Sequence, residues 1–371
     1  MKEIEAEIIK EYGENRLIIR AVSGSGDKMA SGVFSIKEMR FGGGYVKYLT
    51  VGGLETDPRF RRRGLIRRMI AEGEAYGREN GAVFSVLHPF SFDFYRKLGY
   101  ERVSDTVIVS FPIETLRFAP FFREELVPLT KDLVPAFVDY YDAFSKNRNL
   151  MFRQYEESVN SDGTYVLKEG GRITGHIKLE NRKHFDGVNR CEPDGLFVSE
   201  IGFLSPEALL KLFGFLRMFE GEQKQVIIRD AGPVPEVDSV LKSYMETSYT
   251  VRPDIMAKIL DPEKALALVP YRPGFGSFTL RLDSPESGIC GTYLVKESLT
   301  GAPAEIEKLP ESFGQVPDLT VSPAAFSKIV FGFDSYTPET FSYLPGASAG
   351  PGSKKALDAF PKQINGWFEH F

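Results

Sequence analysis

The first third of the chain is patterned as strands separated by turns. Alternating or short continuous apolar runs over residues 4–8, 17–22, 32–36 and 45–54 predict four strands, and glycine-rich turns stand between them. All these runs are far shorter than the roughly 18 apolar residues that a membrane-spanning helix needs. The pattern therefore predicts an antiparallel sheet and no membrane segment.

The spacing then changes to that of a helix. From Gly64 onward the residues that face one side of a predicted helix are Leu65, Ile66, Met69, Ile70, Gly73 and Tyr76. Residues 82–87 predict a buried strand, residues 90–98 a short helix and residues 101–111 one further strand. This order predicts a mixed sheet that contains a central βαβ unit.

A second segment, beginning near Arg117, repeats this order in outline. Helices are predicted over residues 125–147 and 206–219, with a hairpin over residues 164–178 and a strand over residues 225–228. No arginine–glycine loop precedes the second of these helices. If this segment is a degenerate second copy, it has therefore lost the phosphate-binding loop. A third, C-terminal segment alternates short strands with turns rich in proline, glycine and serine.

Composition narrows the classes of function. A chain of 371 residues is long enough for two or three domains, and its 26% of charged residues is ordinary for a globular protein. A net charge of −5 argues against general nucleic-acid binding. The two cysteines, Cys191 and Cys290, are too far apart for a metal-binding spacing, so we expect a cytoplasmic protein without a metal.

Six arginines fall within residues 59–68, between a predicted strand and a predicted helix. A run of arginines is ordinarily a solvated face or a nucleic-acid patch. Here, however, Gly64 occupies the helix start, where backbone N–H groups and the positive end of the helix dipole can bind a phosphate. The position of the run therefore indicates a phosphate site.

This loop resembles the R/Q-x-x-G-x-G/A signature of the GNAT superfamily of N-acetyltransferases, with Ile66 in place of the final small residue. In that family the amides of the loop bind the pyrophosphate of acetyl-CoA. The resemblance implies that acetyl-CoA is the acyl donor. It also implies that the pyrophosphate is bound by Arg61, Arg62, Arg63, Gly64, Leu65 and Ile66.

Two flanking stretches extend the resemblance. Residues 48–56 stand where the family has a splayed strand whose backbone pairs with the pantetheine arm. This implies cofactor contacts at Leu54, Glu55 and Thr56. Residues 94–100 resemble the family's F-Y-x-K-x-G-F/Y segment, and that match implies that Tyr95 is the general acid toward the coenzyme A sulfur.

Over its whole length the chain resembles the Eis-type (enhanced intracellular survival) acetyltransferases. The matching stretches are residues 52–65, 250–257, 261–266 and 358–361. The resemblance implies an α+β chain of two tandem GNAT-like mixed α/β folds, the second degenerate, followed by a sterol-carrier-protein-like α+β domain. The implied limits are 1–117, 118–266 and 267–371. It also suggests a homo-oligomer, a hexamer in the relatives.

The general base has three candidates. The resemblance implies that the C-terminal carboxylate of Phe371 reaches the active site and accepts the proton of the amine. Glu55, beside the pantetheine strand, and His88, just after a predicted strand, are the alternatives. An oxyanion donor is expected from the backbone N–H of Leu54 or Glu55.

The acceptor side departs from the family. Its members open with a strand and two helices that wall the acceptor site, whereas only 16 residues precede Leu17 here. We therefore expect transfer of acetyl to a primary amine of a small cationic molecule or a lysine, with polyamines, amino sugars and protein lysines all compatible. The alternative is a non-catalytic protein that binds acyl-CoA or a lipid. A nucleic-acid-binding role for the arginines is a distant third.

Overall fold

The computed structural model describes residues 6–122, 126–180, 195–229, 232, 234–241, 246–284, 289–298 and 302–366. Its strands are β1 (Ala6–Gly13), β2 (Arg16–Ser23), β3 (Lys28–Phe41), β4 (Gly44–Thr56), β5 (Phe84–Leu87), β6 (Glu101–Arg102), β7 (Asp105–Pro112), β8 (Leu126–Pro128), β9 (Thr164–Glu169), β10 (Arg172–Leu179), β11 (Gly195–Phe203), β12 (Gln225–Ile228), β13 (Ser248–Pro253), β14 (Met256–Ile259), β15 (Ser277–Leu282), β16 (Gly291–Lys296), β17 (Glu305–Leu309), β18 (Leu319–Val321) and β19 (Ser348–Ala349). Its α-helices are α1 (Leu65–Glu79), α2 (Phe92–Arg96), α3 (Val134–Ser145), α4 (Pro206–Arg217), α5 (Glu236–Val240), α6 (Pro262–Leu268), α7 (Pro323–Val330), α8 (Pro338–Phe341) and α9 (Ser353–Ala359).

Contacts divide the chain into two compact units. The first combines the residues up to Ser104 with Asp254–Gln363. The second combines Asp105–Pro253 with residues 364–366. The C-terminal segment thus packs into the same unit as the N-terminal sheet.

The sheet that carries the N-terminal strands has the order β1-β2-β3-β4-β5-β14-β6. Neighbours from β1 to β4 are antiparallel, β4 and β5 are parallel, and β14 is antiparallel to both β5 and β6. A strand from far along the chain therefore completes this sheet. The predicted mixed sheet with a central βαβ unit is confirmed.

Helix α1 packs on this sheet through the face that its apolar spacing predicts. Leu65, Met69 and Ile70 are buried, and they belong to the same core cluster as Phe34 of β3. A Cβ on Gly73 would lie 2.1 Å from a ring carbon of Phe34, so only glycine lets the helix approach the sheet this closely. The glycine inside the helix is thus explained by packing.

A buried ion pair within the first unit anchors β14, the strand that completes the sheet, to helix α1. Lys258 of β14 lies 2.7 Å from Glu74 of α1, and their side chains are 8% and 7% exposed. The nearby Tyr100 hydroxyl shares a 2.7 Å hydrogen bond with Ser85 of β5. A buried charge is costly unless it is paired, so this pair favours the register in which β14 enters the sheet.

Residues 101–111, predicted as one strand, are two. β6 pairs with β14, whereas β7 pairs with β12 and β13 in the second sheet. The single-strand prediction is wrong because an alternating pattern records which side chains are buried but not which strand lies alongside. The break falls between Arg102 and Asp105, where the chain leaves the first unit.

The second unit is built on a sheet of order β13-β7-β12-β11-β10-β9-β8, in which β11 and β12 are parallel. The predicted hairpin is confirmed as β9 and β10, and the predicted helix at 206 is confirmed as α4. The prediction of helix from residue 125 is wrong at its start, because residues 126–128 form β8. That strand pairs with β9, a long-range contact that local pattern does not reveal.

The C-terminal segment contributes a third sheet, of order β17-β16-β15-β18-β19. Helix α7 begins at Pro323, and the hydroxyl of Ser322 caps it by accepting from Ala325 N–H. Phe331, which follows α7, packs edge-on against Phe41 and Phe84 of the first sheet, each at 5.1 Å between ring centroids. Apolar packing therefore joins this segment to the first sheet.

Candidate functional site

Strands β4 and β5 separate after three residue pairs, which end at Thr50 and Val86. Beyond this point β4 continues to Thr56 with only β3 as its partner. We call the space beside residues 51–56 the fork. Along it, the backbone N–H and C=O groups on the β5 side of β4 are not used by the parallel ladder, so an extended ligand can pair with them.

A bulge lies within the β4 part of the fork. Ser31 pairs with Glu55 and Val33 with Gly52, so Gly32 faces both Gly53 and Leu54. Gly53 has φ of 57°, a left-handed conformation that favours glycine. Bulges redirect backbone groups and are common beside active sites. The glycine pair within a strand was the available signal for this feature, and sequence reasoning missed it.

The loop between the fork and α1 leads into a helix start without a side-chain cap. Asp57 accepts from Arg59 N–H at 2.9 Å and thereby caps the short 3-10 helix Pro58–Phe60. Gly64 is the N-cap of α1, with φ of 74°, and no side chain among the described residues caps this helix. The N-terminal amides of α1 and its dipole therefore present a site for an anion.

The arginines of this loop, which we call the arginine loop (residues 59–64), are exposed. Arg59 is bound to Asp57, and Arg63 lies over the ring of Phe60 at 5.5 Å. Within the described part of the chain, no hydrogen bond or ion pair engages the side chains of Arg61 and Arg62. Arg62 also has φ of 60°, an uncommon conformation for a residue with a side chain. Such strain clusters at ligand sites.

The corresponding helix start in the second unit offers fewer free amides to an anion. There the pairing of β11 with β12 ends at Val198 and Ile228. Strand β11 itself continues to Phe203, and α4 begins three positions later, at Pro206. The hydroxyl of Ser205 accepts from Ala208 N–H at 3.1 Å, and Pro206 removes one N–H from the first turn. The N-terminal amides of α4 are thus partly satisfied or absent.

Aromatic and polar side chains also fill the space beside β11. His176 is fully buried, with Nδ1 2.8 Å from the hydroxyl of Tyr140. A Cβ on Gly202 of β11 would lie 2.4 Å from the His176 ring. His176 and Gly202 lie on the paired strands β10 and β11, so this packing belongs to the core of the second unit. The arginine loop and the uncapped start of α1 have no counterpart at α4, as expected for a degenerate second copy.

Tyr95 lies on α2, which Ser91 caps by accepting from Phe94 N–H at 3.4 Å. Its side chain is 2% exposed, and burial raises the pKa of Tyr95 to about 12. The ring contacts Phe90 and Tyr100, at 5.2 and 6.1 Å between centroids. Tyr95 therefore keeps its proton throughout the neutral range and is a hydrogen-bond donor.

Two of the candidate bases are held by other groups. Glu55 is exposed, forms an ion pair with Lys28 and accepts from the hydroxyl of Ser31 at 2.8 Å; the hydrogen bond from Lys28 is the main cause that lowers the pKa of Glu55. His88 has Nδ1 2.7 Å from Asp254 Oδ1, and its Nε2 is shielded from solvent. A carboxylate with a lowered pKa is a weaker base, and a shielded nitrogen is hard for an amine to reach.

The remaining predicted site residues are distributed as follows. Thr56 pairs with Ala30 at the end of β4, and Leu54 is partly buried against the core. Leu65 is buried and Ile66 partly buried, so both contribute packing as well as backbone amides. Phe371 lies outside the described residues. The contact of His88 with Asp254, 166 positions further along the chain, had no signal in the sequence.

Metal-binding clusters and membrane-spanning helices are both absent from the described residues. These residues contain no group of three or more histidine, cysteine, aspartate or glutamate side chains placed to hold a metal ion. No helix among them is long and apolar enough to cross a membrane. Neither finding assigns a role to any residue, so the candidate site rests on the fork and the arginine loop.

The comparisons with known proteins agree with this geometry. Residues 5–103 match the family model described as acetyltransferase (GNAT) domain. Among curated proteins, none matches the chain by sequence.

Solved structures match over nearly the whole chain. A GCN5-related N-acetyltransferase from Kribbella flavida is 18% identical with a TM-score of 0.78, covering 95% of this chain and 87% of that one. One from Anabaena variabilis is 16% identical with a TM-score of 0.77, covering 96% and 90%. Eis1 from Mycobacterium abscessus is 14% identical with a TM-score of 0.73, covering 95% and 91%.

At these identities the structures establish the fold, and the family model establishes the domain. The domain it matches holds the fork, the arginine loop and Tyr95. The chain therefore carries, over residues 5–103, an acetyltransferase domain of the GNAT family, and its fold is that of GNAT N-acetyltransferases, Eis1 among them.

Proposed function

We propose that this protein transfers an acetyl group from acetyl-CoA to a primary amine. The observation that carries the proposal is the start of α1, which lacks a side-chain cap and directly follows the fork and the arginine loop, within a GNAT domain. An anion bound there and an extended arm paired along β4 are the two halves of a coenzyme A site. The start of α4, capped by Ser205 and without an arginine loop, offers no equivalent second site.

The donor binds through backbone and charge. The amides at Gly64, Leu65 and Ile66 receive the pyrophosphate, and Arg61, Arg62 and Arg63 neutralise it. The pantetheine arm pairs with residues 54–56 of β4. An N–H of Leu54 or Glu55 then donates to the thioester oxygen, which becomes negative as the amine attacks.

Tyr95 acts on the sulfur. When the carbon–sulfur bond breaks, its electron pair stays on the sulfur, which departs as a thiolate and gains from a hydrogen-bond donor beside it. Because burial raises the pKa of Tyr95 to about 12, the phenol keeps its proton and donates a hydrogen bond to the thiolate. Complete proton transfer from Tyr95 to the thiolate is uphill, since a thiol has a pKa of about 8.5, so the main effect of Tyr95 is to stabilise the developing charge. The thiolate then takes a proton from solvent as coenzyme A leaves.

The amine must lose a proton before or during its attack, since a lysine-like amine has a pKa of about 10.4. We assign this step to the C-terminal carboxylate of Phe371, a proposal that rests on resemblance to the Eis-type enzymes. The ion pair of Glu55 with Lys28 and the shielding of His88 Nε2 argue against these two side chains. We retain them as alternatives that substitution can exclude.

On the side where the acceptor amine would bind, the chain has a β-hairpin and no helices between β1 and β2. β1 turns directly into β2 through Glu14 and Asn15, the latter with φ of 52°, so that Gly13 pairs with Arg16. This hairpin stands where the family has two helices. A less enclosed acceptor site supports a broad class of acceptors, namely primary amines of small cationic molecules or lysine side chains. A hexameric assembly and a sterol-carrier-like third domain remain predictions, as does the expectation that neither nucleic acid nor membrane is a partner.

The test is transfer itself. Purified protein with an untagged C-terminus is mixed with acetyl-CoA and a panel of polyamine, aminoglycoside, arylalkylamine and lysine-peptide acceptors, and the amines are analysed by mass spectrometry. The proposal predicts that at least one amine gains a single acetyl group in a protein-dependent reaction. Binding of acetyl-CoA without transfer to any acceptor would instead favour a sensor of acyl-CoA.

A further inference from the structure

One large aromatic side chain beside Tyr95 is exposed. Phe90 lies in the connection between β5 and α2 and is 71% exposed. Its ring meets Tyr95 edge-on at 5.2 Å between centroids and lies 5.3 Å from the ring of Phe94. One side of the ring thus packs on the candidate catalytic tyrosine while the rest faces solvent.

The connection that carries Phe90 is anchored at both ends. On one side, His88 Nδ1 is 2.7 Å from Asp254 Oδ1, and Leu87 pairs with Met256 of β14. On the other side, the Ser91 hydroxyl caps α2. The backbone that carries Phe90 is therefore anchored on both sides, and its ring is exposed to solvent. Binding a ligand to the ring then costs little conformational entropy in this connection.

We propose that Phe90 is part of the acceptor site and selects amines that are carried on an aromatic or alkyl body. This inference rests on the proposed function, because Tyr95 marks the position of the sulfur and the acceptor amine attacks the carbon bonded to that sulfur. The carbon skeleton next to the amine then lies within reach of the Phe90 ring. A phenyl ring offers an aryl or alkyl group apolar and edge-to-face contact, whereas it cannot satisfy the hydroxyl groups of an amino sugar.

The experiment compares three acceptors and four proteins. Initial rates of thiol release are measured with phenethylamine, spermidine and an aminoglycoside, for the wild type and for Phe90→Ala, Phe90→Leu and Tyr343→Ala. Tyr343 is 86% exposed and lies beyond α8, so its replacement controls for the loss of an exposed aromatic ring. Because Phe90 is itself exposed, its variants are expected to fold, which thermal melting and acetyl-CoA titration verify.

We expect the wild type to favour phenethylamine in kcat/KM. Phe90→Ala should lower kcat/KM for phenethylamine about tenfold, mainly by raising KM, and change the aminoglycoside value less than twofold. Phe90→Leu should retain part of the preference, and Tyr343→Ala all of it.

Two results overturn the inference alone. One is an active wild type whose preference is the same in Phe90→Ala. The other is a fall in kcat that is equal for all acceptors, since Phe90 would then act only by packing Tyr95. An inactive wild type would contradict the proposed function itself.

Discussion

Lys258 Nζ of β14 lies 2.7 Å from Glu74 Oε2 of α1. This ion pair joins the strand inserted from far along the chain to the helix that packs on the N-terminal sheet. Both side chains are less than a tenth exposed, so each charge depends on the other for its stabilisation. The pair belongs to the first unit, and it holds in place the strand that also carries Asp254 toward His88.

Removal of one member of this pair should be more damaging than removal of both. We expect Lys258→Met to lower the free energy of unfolding by about 3–5 kcal/mol, because the Glu74 carboxylate would remain buried without its partner. The double variant with Glu74→Leu should recover much of that loss. Urea denaturation of the two single variants and the double variant measures the coupling. Additive losses would show that the pair contributes nothing specific.

Tyr95→Phe should slow acetyl transfer and leave donor binding intact. Loss of a donor beside the developing thiolate is expected to reduce kcat about 100-fold, while the dissociation constant of acetyl-CoA changes little. Thiol-release kinetics and calorimetric titration measure the two quantities separately. Tyr76→Phe, which removes a hydroxyl from α1, is the matched control and should remain fully active. Equal rates for wild type and Tyr95→Phe would exclude the assigned role.

Buried tyrosines predict a loss of stability at alkaline pH. Burial raises the pKa of Tyr95 and of Tyr293 to about 12, above the ordinary value of about 10. The stability that these two protonated tyrosines contribute to the folded state is fully present below pH 10. Above it the unfolded chain ionises first, so stability falls as the pH rises toward 12.

Replacement of Tyr95 should therefore reduce this sensitivity. Between pH 8 and pH 11, we expect the urea midpoint of the wild type to fall by more than that of Tyr95→Phe. Tyr343→Phe, at an exposed position, is the control for the loss of a tyrosine hydroxyl at both pH values. A parallel response of all three proteins would contradict the account of Tyr95 burial.

Local features of the site could be predicted from the sequence. Helix α1, its start at Gly64 and the short helix that carries Tyr95 all follow from apolar spacing and glycine position, since these depend on residues a few positions apart. The degenerate second copy was also predictable, because the absence of an arginine–glycine loop before α4 can be read directly from the sequence.

Features that depend on distant pairing could not be predicted. The insertion of β14 between β5 and β6, and the passage of the chain from Arg102 into another sheet, are set by which strands meet. The contact of His88 with Asp254 has the same origin, since register brings the two strand ends together. An alternating pattern specifies one buried face and is silent about neighbours.

The central claim is that the start of α1 binds the pyrophosphate of acetyl-CoA, and Gly64→Ala tests it most directly. The matched control is Gly81→Ala, just beyond the other end of the same helix. Both glycines have positive φ, 74° and 78°, and a Cβ on either meets no atom within 4 Å. Alanine should therefore cost each variant about 1 kcal/mol of stability through backbone strain.

Calorimetric titration of acetyl-CoA into the wild type and both variants separates strain from binding. The account predicts that Gly64→Ala weakens binding tenfold or more while Gly81→Ala binds like the wild type, because only the first Cβ occupies the approach to the α1 amides. Equal affinities for all three proteins, or no binding by the wild type, would contradict it.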